Sequence, residues 1–138
     1  KIGYVGVTPL IIEDTLRENF IYGNSHTIED EAIAELAEEF ELFKDQEINL
    51  NLIVSNRSLS SGQMQKIAFI RALLSEVDIL LLDESTSNLD LETKQLIFKI
   101  LRKKTITIIN STHNYQDFTF DHHMRIVFKN QKRHILID

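Results

Sequence analysis

Four consecutive apolar residues, Ile79-Leu80-Leu81-Leu82, run straight into two acids, Asp83-Glu84. A run this short, apolar on both faces and closed by charge, predicts a buried parallel strand. The segments on either side have the helical period. Before the run, a helix is predicted from Ser61 or Gly62 to Leu74, with Ile67, Ile70 and Leu74 on one face. After it, Asp90 is placed to cap a helix over 91–104, with Leu96, Ile97, Ile100 and Leu101 inward. Arg102-Lys103-Lys104 would then sit where the helix dipole favours cations. A β-branched strand follows over 105–110, and runs at 125–129 and 133–137 flank Asn130-Gln131 as a hairpin. Helix, strand, helix, strand, hairpin is the order of an α/β domain with parallel central strands.

The N-terminal half is less regular. Residues 1–7 form a short β-type run broken at Thr8-Pro9, and 15–20 is a polar-apolar stretch ending in the turn signals Gly23-Asn24-Ser25. Thr27, with Asp30 three residues on, predicts the start of a helix whose stripe is Ile33, Leu36, Ala37 and Phe40. Its opposite face, Glu31, Glu35, Glu38, Glu39 and Glu41, reads as a solvated surface. Residues 44–58 are irregular and contain Leu50, Leu52, Ile53 and Val54.

Composition narrows the function classes. With 138 residues the chain is one domain or part of one, and 43% hydrophobic content argues against wholesale disorder. A net charge of −6 makes phosphate-driven nucleic-acid binding a poor expectation. The absence of cysteine excludes a disulfide framework, a thiolate zinc site and a cysteine nucleophile. The chain begins at Lys1 without a leader pattern, which reads as a cut inside a larger protein.

Candidate chemistry gathers at strand ends, where open parallel sheets collect ligands. Asp83 and Glu84 close one strand, and His113 lies just past the next. If the two strands are neighbours, two carboxylates and an imidazole share a rim. Such an acid can hold Mg²⁺ directly or through water, and a second can orient or deprotonate a water. Alone, the acid pair could merely end a strand and cap a turn with Ser85 and Thr86. Leu59-Ser60-Ser61-Gly62-Gln63 places hydroxyls, a glycine and an amide at a helix start, a natural phosphate site but also an ordinary serine cap. Asp121-His122-His123 lacks further ligands at metal-binding spacing, and Tyr115, Phe118 and Phe120 read as packing residues.

Taken together, residues 59–68, 71–74 and 79–90 resemble the ATP-binding cassette ATPases. The family's Leu-Ser-Gly-Gly-Gln signature corresponds to residues 59–63, its acidic (Walker B) strand to 79–84, and its D-loop to Ser87-Asn88-Leu89-Asp90. Ser111-Thr112-His113 resembles the switch-histidine strand end. Ile2-Gly3-Tyr4-Val5 and Thr15-Leu16-Arg17-Glu18-Asn19-Phe20 look like the region around the Q-loop of exporter-type cassettes. The resemblance implies the C-terminal part of a P-loop NTPase fold. It divides the chain at about 1–26 (Q-loop region), 27–75 (helical subdomain with the signature) and 76–138 (core sheet).

The resemblance also implies roles. Asp83 would bind Mg²⁺ through water, Glu84 would polarise the attacking water, and His113 would contact the γ-phosphate. Ser60, Ser61, Gly62 and Gln63 would close on ATP held by a second subunit, with Asp90 at the interface of that head-to-tail dimer. A transmembrane domain would be the other partner, placing the protein at the cytoplasmic face of a membrane. Departures from the family pattern are Val7 where the Q-loop glutamine stands, Ser61 in place of glycine, and Ile53-Val54-Ser55-Asn56 in place of an acidic segment. No Gly-x-x-x-x-Gly-Lys-Ser/Thr loop occurs, so the chain alone is expected to be inactive. Lost sheet neighbours would leave unpaired strand edges and an apolar face, so it is also expected to self-associate. Other readings are a chromosome-maintenance or DNA-repair ATPase, and a regulatory cassette with weak turnover, the latter favoured by Val7.

Overall fold

A computed structural model describes all residues, 1–138. Its centre is a three-stranded parallel sheet in the order β1 (Ile2–Val5), β4 (Ile79–Asp83), β5 (Thr107–Ser111). The apolar run is thus the middle strand, as its sequence predicts. Tyr4 pairs with Leu81, and Asp83 with Ser111, which brings the three carboxyl ends to one rim. Leu80 and Leu82 are buried on one sheet face, whereas Ile79 and Leu81 on the other are only partly covered, alongside exposed Ile2, Tyr4 and Ile109. The run expected to be buried on both faces is therefore sealed on one.

The sealed face is covered by helices. The long one is α3 (Ser61–Leu74), which starts where the sequence places it because Ser60 and Gln63 form a reciprocal capping box. Its Ile67, Phe69 and Ile70 have no exposed surface. Against it pack α1 (Leu16–Ile21) and α2 (Asp30–Glu39). In α2 the expected stripe is inward, with Ile33, Ala37 and the capping Phe40 fully buried, and Phe40 stacks on Phe69 at 6.4 Å. Fully burying one such ring contributes about 1.5–3 kcal/mol, so Phe40 and Phe69 together add a few kcal/mol to holding α2 on α3.

Several boundaries differ from expectation for identifiable reasons. Thr15 caps α1 by accepting from the Glu18 N–H, turning the 15–20 stretch into a helix. Thr27 does not cap α2. The helix begins at Asp30, whose carboxylate is taken by Arg17 Nε at 2.7 Å, and no side chain caps it. Helix α4 (Leu91–Leu101) stops short of Lys104, because Lys103 N and Lys104 N donate to Ile100 O and Leu101 O in tighter turns before β5. Strand β5 is correspondingly shifted to begin at Thr107.

A small antiparallel pair, β2 (Asp14–Thr15) with β3 (Ile53–Val54), lies across the helical half. Of the apolar residues at 50–54, only Val54 is buried. A short 3₁₀ turn (Tyr115–Asp117) leads to Phe118, which packs on Phe98 at 4.4 Å, and Tyr115 stacks on His123 at 4.6 Å. The predicted hairpin is β6 (Met124–Lys129) with β7 (Lys132–Ile137). Asn130 and Gln131 both adopt positive φ, the requirement of a two-residue type I′ connection. One hairpin face presents Met124, Ile126 and Phe128 opposite Ile137, Ile135 and Arg133. No helix is long and apolar enough to cross a membrane.

Candidate functional site

The rim at the ends of β1, β4 and β5 holds the acids. Asp83 is the last residue of β4, and Glu84 follows in a left-handed conformation, φ 52°. That conformation costs a non-glycine residue roughly 1 kcal/mol or more and persists only where neighbours enforce it. Here the Glu84 N–H donates to Ser111 O at 2.9 Å, while Glu84 O accepts from Ser87 N at 3.1 Å and Ser87 Oγ at 2.9 Å. The turn directs the Glu84 side chain toward the end of β5, where Oε1 lies 3.3 Å from His113 Nε2. Glu84 is largely covered, whereas the imidazole is 94% exposed and free to engage a ligand. Asp83 is exposed and accepts one side-chain hydrogen bond, from the Tyr4 hydroxyl at 3.3 Å.

The start of α3 forms the second group. Ser60 Oγ accepts from Gln63 N at 3.1 Å, and Gln63 Oε1 accepts from Ser60 N at 2.8 Å, so the box occupies these side-chain acceptors and leaves the Ser60 O–H and Gln63 Nε2 donors uncommitted. Ser61 and Gly62 are on or near the surface, and the nearest group to a Cβ at Gly62 would be Ser60 Oγ at 4.0 Å. A cleft of about 60 Å³ joins the two groups, lined by Val7, Ser61, Gln65, Glu84, Ser85 and Asn88 among others. The buried Ser85 hydroxyl has no partner. Asp90 caps α4, accepting from Thr93 N at 2.8 Å and from Thr93 Oγ1 at 3.0 Å. These bonds favour the ionised form and hold its pKa below the usual carboxylate range.

Sequence reasoning brought Asp83, Glu84 and His113 to one rim, and they are there. It missed the groups that brace the site. Gln65 is buried and donates to Gly6 O at 3.0 Å, fixing the segment after β1. Lys66, also buried, donates to Glu41 O at 2.9 Å, and burial pushes its pKa down. Arg71 Nε and Nη2 donate to Asn19 O and Leu10 O at 2.7 and 2.9 Å, with burial again lowering the pKa. The stripe Ile67, Ile70 and Leu74 gave no signal for Gln65, which lies two residues from Ile67 and so on the opposite side of the helix.

A family model described as ABC transporter matches residues 1–87. The chain belongs to the ABC transporter family. Among its relatives is the SPbeta prophage-derived sublancin-168-processing and transport ATP-binding protein SunT of Bacillus subtilis, 32% identical over 135 residues, covering 96% of this chain and 19% of that protein. The lactococcin transport/processing ATP-binding protein LcnC-like of Lactococcus lactis is 35% identical over 131 residues, covering 91% and 18%. The fold matches a bacterial Atm1-family ABC exporter solved with ATP bound, with a TM-score of 0.71, 26% identity and coverage of 83% of this chain and 21% of that one. This ABC chain thus spans about a fifth of the length of these two relatives, and less of some others. Its α/β architecture, with a parallel sheet and flanking helices, is that of the exporter family's ATPase domain.

Proposed function

We propose that this chain is the C-terminal part of an ATP-hydrolysing domain that drives export across a membrane. The carrying observation is the rim itself, where Glu84 and His113 approach to 3.3 Å across adjacent parallel strands with Asp83 alongside. In this reading the missing phosphate loop comes from elsewhere in the longer protein, at the cytoplasmic face of the membrane. Phosphoryl transfer needs positioning and charge stabilisation more than covalent chemistry, which suits groups drawn from separate segments.

The donor set fits Mg²⁺ in kind, because Asp83 offers exposed carboxylate oxygens. Mg²⁺ usually takes one or two carboxylates together with phosphate oxygens and water, so one carboxylate from this chain meets its demand. When bound, Mg²⁺ would neutralise charge on the phosphates, with Asp83 holding it through water. Glu84, fixed by its turn, orients and accepts a proton from the attacking water. His113 donates to the γ-phosphate. Ser60, Ser61, Gly62 and Gln63 present the start of α3 to nucleotide on a second subunit, and Asp90 lies at that interface. The Ser60 hydroxyl and Gln63 Nε2 donors, which the capping box does not use, are the groups that would meet phosphate oxygens. A transmembrane domain is the other partner.

The test is Glu84→Gln in the full-length protein, which keeps the side chain's shape and removes its basicity. Turnover measured by phosphate release should fall by about 10²–10⁴-fold while ATP binding is retained. Undiminished steady-state hydrolysis would sink the assignment.

A further inference from the structure

The segment following β1 approaches the rim, yet Val7 is apolar and half-exposed and brings no polar side chain to it. The polar group from this strand is Tyr4. Its partner across the sheet is Leu81, so its ring must lean two residues along the strand to reach Asp83, and it does: the hydroxyl lies 3.3 Å from Asp83 Oδ2. Gly6 makes that lean possible. A Cβ at Gly6 would lie 2.8 Å from the Tyr4 hydroxyl oxygen and 3.0 Å from Cε1, inside the space the ring occupies. The Gly6 backbone is held in turn by Gln65 Nε2 on its carbonyl at 3.0 Å. A tyrosine that reaches, a glycine that clears its path and a glutamine that fixes the glycine therefore converge on one carboxylate.

We propose that Tyr4 is a positioning residue for Asp83, donating to Oδ2 and leaving Oδ1 to a divalent cation or its bound water. This rests on the reading of the rim as a Mg²⁺-nucleotide site. An exposed carboxylate otherwise samples several rotamers, and ordering it on binding is unfavourable. The phenol orders it beforehand, from the strand whose following loop contributes no polar side chain at Val7.

The experiment uses the full-length protein, a non-hydrolysable ATP analogue and Mn²⁺ read by electron paramagnetic resonance. Tyr4→Phe keeps the ring and removes the hydroxyl. Gly6→Ala keeps the hydroxyl and forces the ring aside, an easy movement because the clash is with the far end of a side chain. Each should weaken Mn²⁺ binding in the nucleotide complex by about three- to tenfold, the scale of one ordinary exposed hydrogen bond, because 3.3 Å is long for a charge-assisted one. Metal-free nucleotide affinity should be unchanged, and the double variant should be no weaker than either single one. If the parent binds Mn²⁺-nucleotide and Tyr4→Phe binds it equally well, the positioning role is wrong while the nucleotide-site reading stands. A drop in melting temperature with Mn²⁺ affinity intact would make Tyr4 a packing residue and likewise overturn the proposal. Failure of the parent to bind Mn²⁺-nucleotide would bring down the underlying reading, and this inference with it.

Discussion

Asn19 offers the sharpest test of how the loop between the rim and the helical half is held. Its side chain has no exposed surface. Oδ1 accepts from Ile12 N at 2.9 Å, and Nδ2 donates to Ile12 O and Thr15 O, each at 3.0 Å. Asn19→Ala should cost about 2–3 kcal/mol, from these hydrogen bonds at roughly 1 kcal/mol each. Asn19→Asp keeps the shape but aims a buried carboxylate oxygen at two carbonyls, so at neutral pH the cost should rise to about 4 kcal/mol. Burial and the facing carbonyls raise the folded-state pKa of the introduced carboxyl above its unfolded value of about 3.9. The folded state then binds more protons than the unfolded one, so stability of the variant relative to the parent falls as pH rises through that window. Below it, the neutral acid regains one donor and the penalty shrinks to about 1–2 kcal/mol. Urea unfolding followed by far-ultraviolet circular dichroism, parent against variants from about pH 4 to 8, measures all of this. An Asn19→Asp penalty that is absent, or that does not shrink on acidification, would refute the reasoning.

Three further outcomes are expected. Val7→Gln in the full-length protein should alter the ratio of transport to hydrolysis more than the hydrolysis rate, since water readily completes a Mg²⁺ shell; a large loss of basal ATPase activity would count against this. The isolated 138-residue chain should show almost no heat of Mg-ATP binding and should self-associate in light scattering, given exposed Ile2, Tyr4 and Ile109 on the open sheet face. Micromolar ATP affinity, or a monomer at high concentration, would contradict it. Asp90, with its pKa held down by Thr93, should stabilise the protein relative to Asp90→Asn above about pH 4, with the advantage fading as pH falls through the depressed value. Melting curves with a pH-independent gap would exclude that account.

What could be read from the sequence divides by distance along the chain. The serine cap at the start of α3, the Asp90 cap and the Asn130-Gln131 turn involve near neighbours, and each lies where the pattern places it. The β4 strand was legible because composition alone distinguishes it, and neighbouring β5 then brought His113 to Glu84. Thr27 misled because Arg17, 13 residues before Asp30, claims the carboxylate that would have completed a cap. Tyr4 on Asp83, Gln65 on Gly6 and Arg71 on Leu10 span 79, 59 and 61 residues, and no local spacing rule sees such pairs. Half-covering of β4 also escaped, because an apolar run does not state which of its faces the chain itself will cover.

The left-handed backbone of Glu84 sets two selections against each other at one position. Folding alone favours glycine there, since it adopts positive φ without a steric penalty and would relieve roughly 1 kcal/mol; asparagine is the next most comfortable. Valine, isoleucine and threonine are the least tolerable, their branched Cβ crowding the turn that Ser111 and Ser87 close. Catalysis, on the reading above, accepts only a carboxylate of this reach. A library randomised at this codon would drift toward glycine under a screen for solubility or thermal resistance. Under a screen for turnover it would return to glutamate, making the position a measurable instance of a stability–activity trade-off.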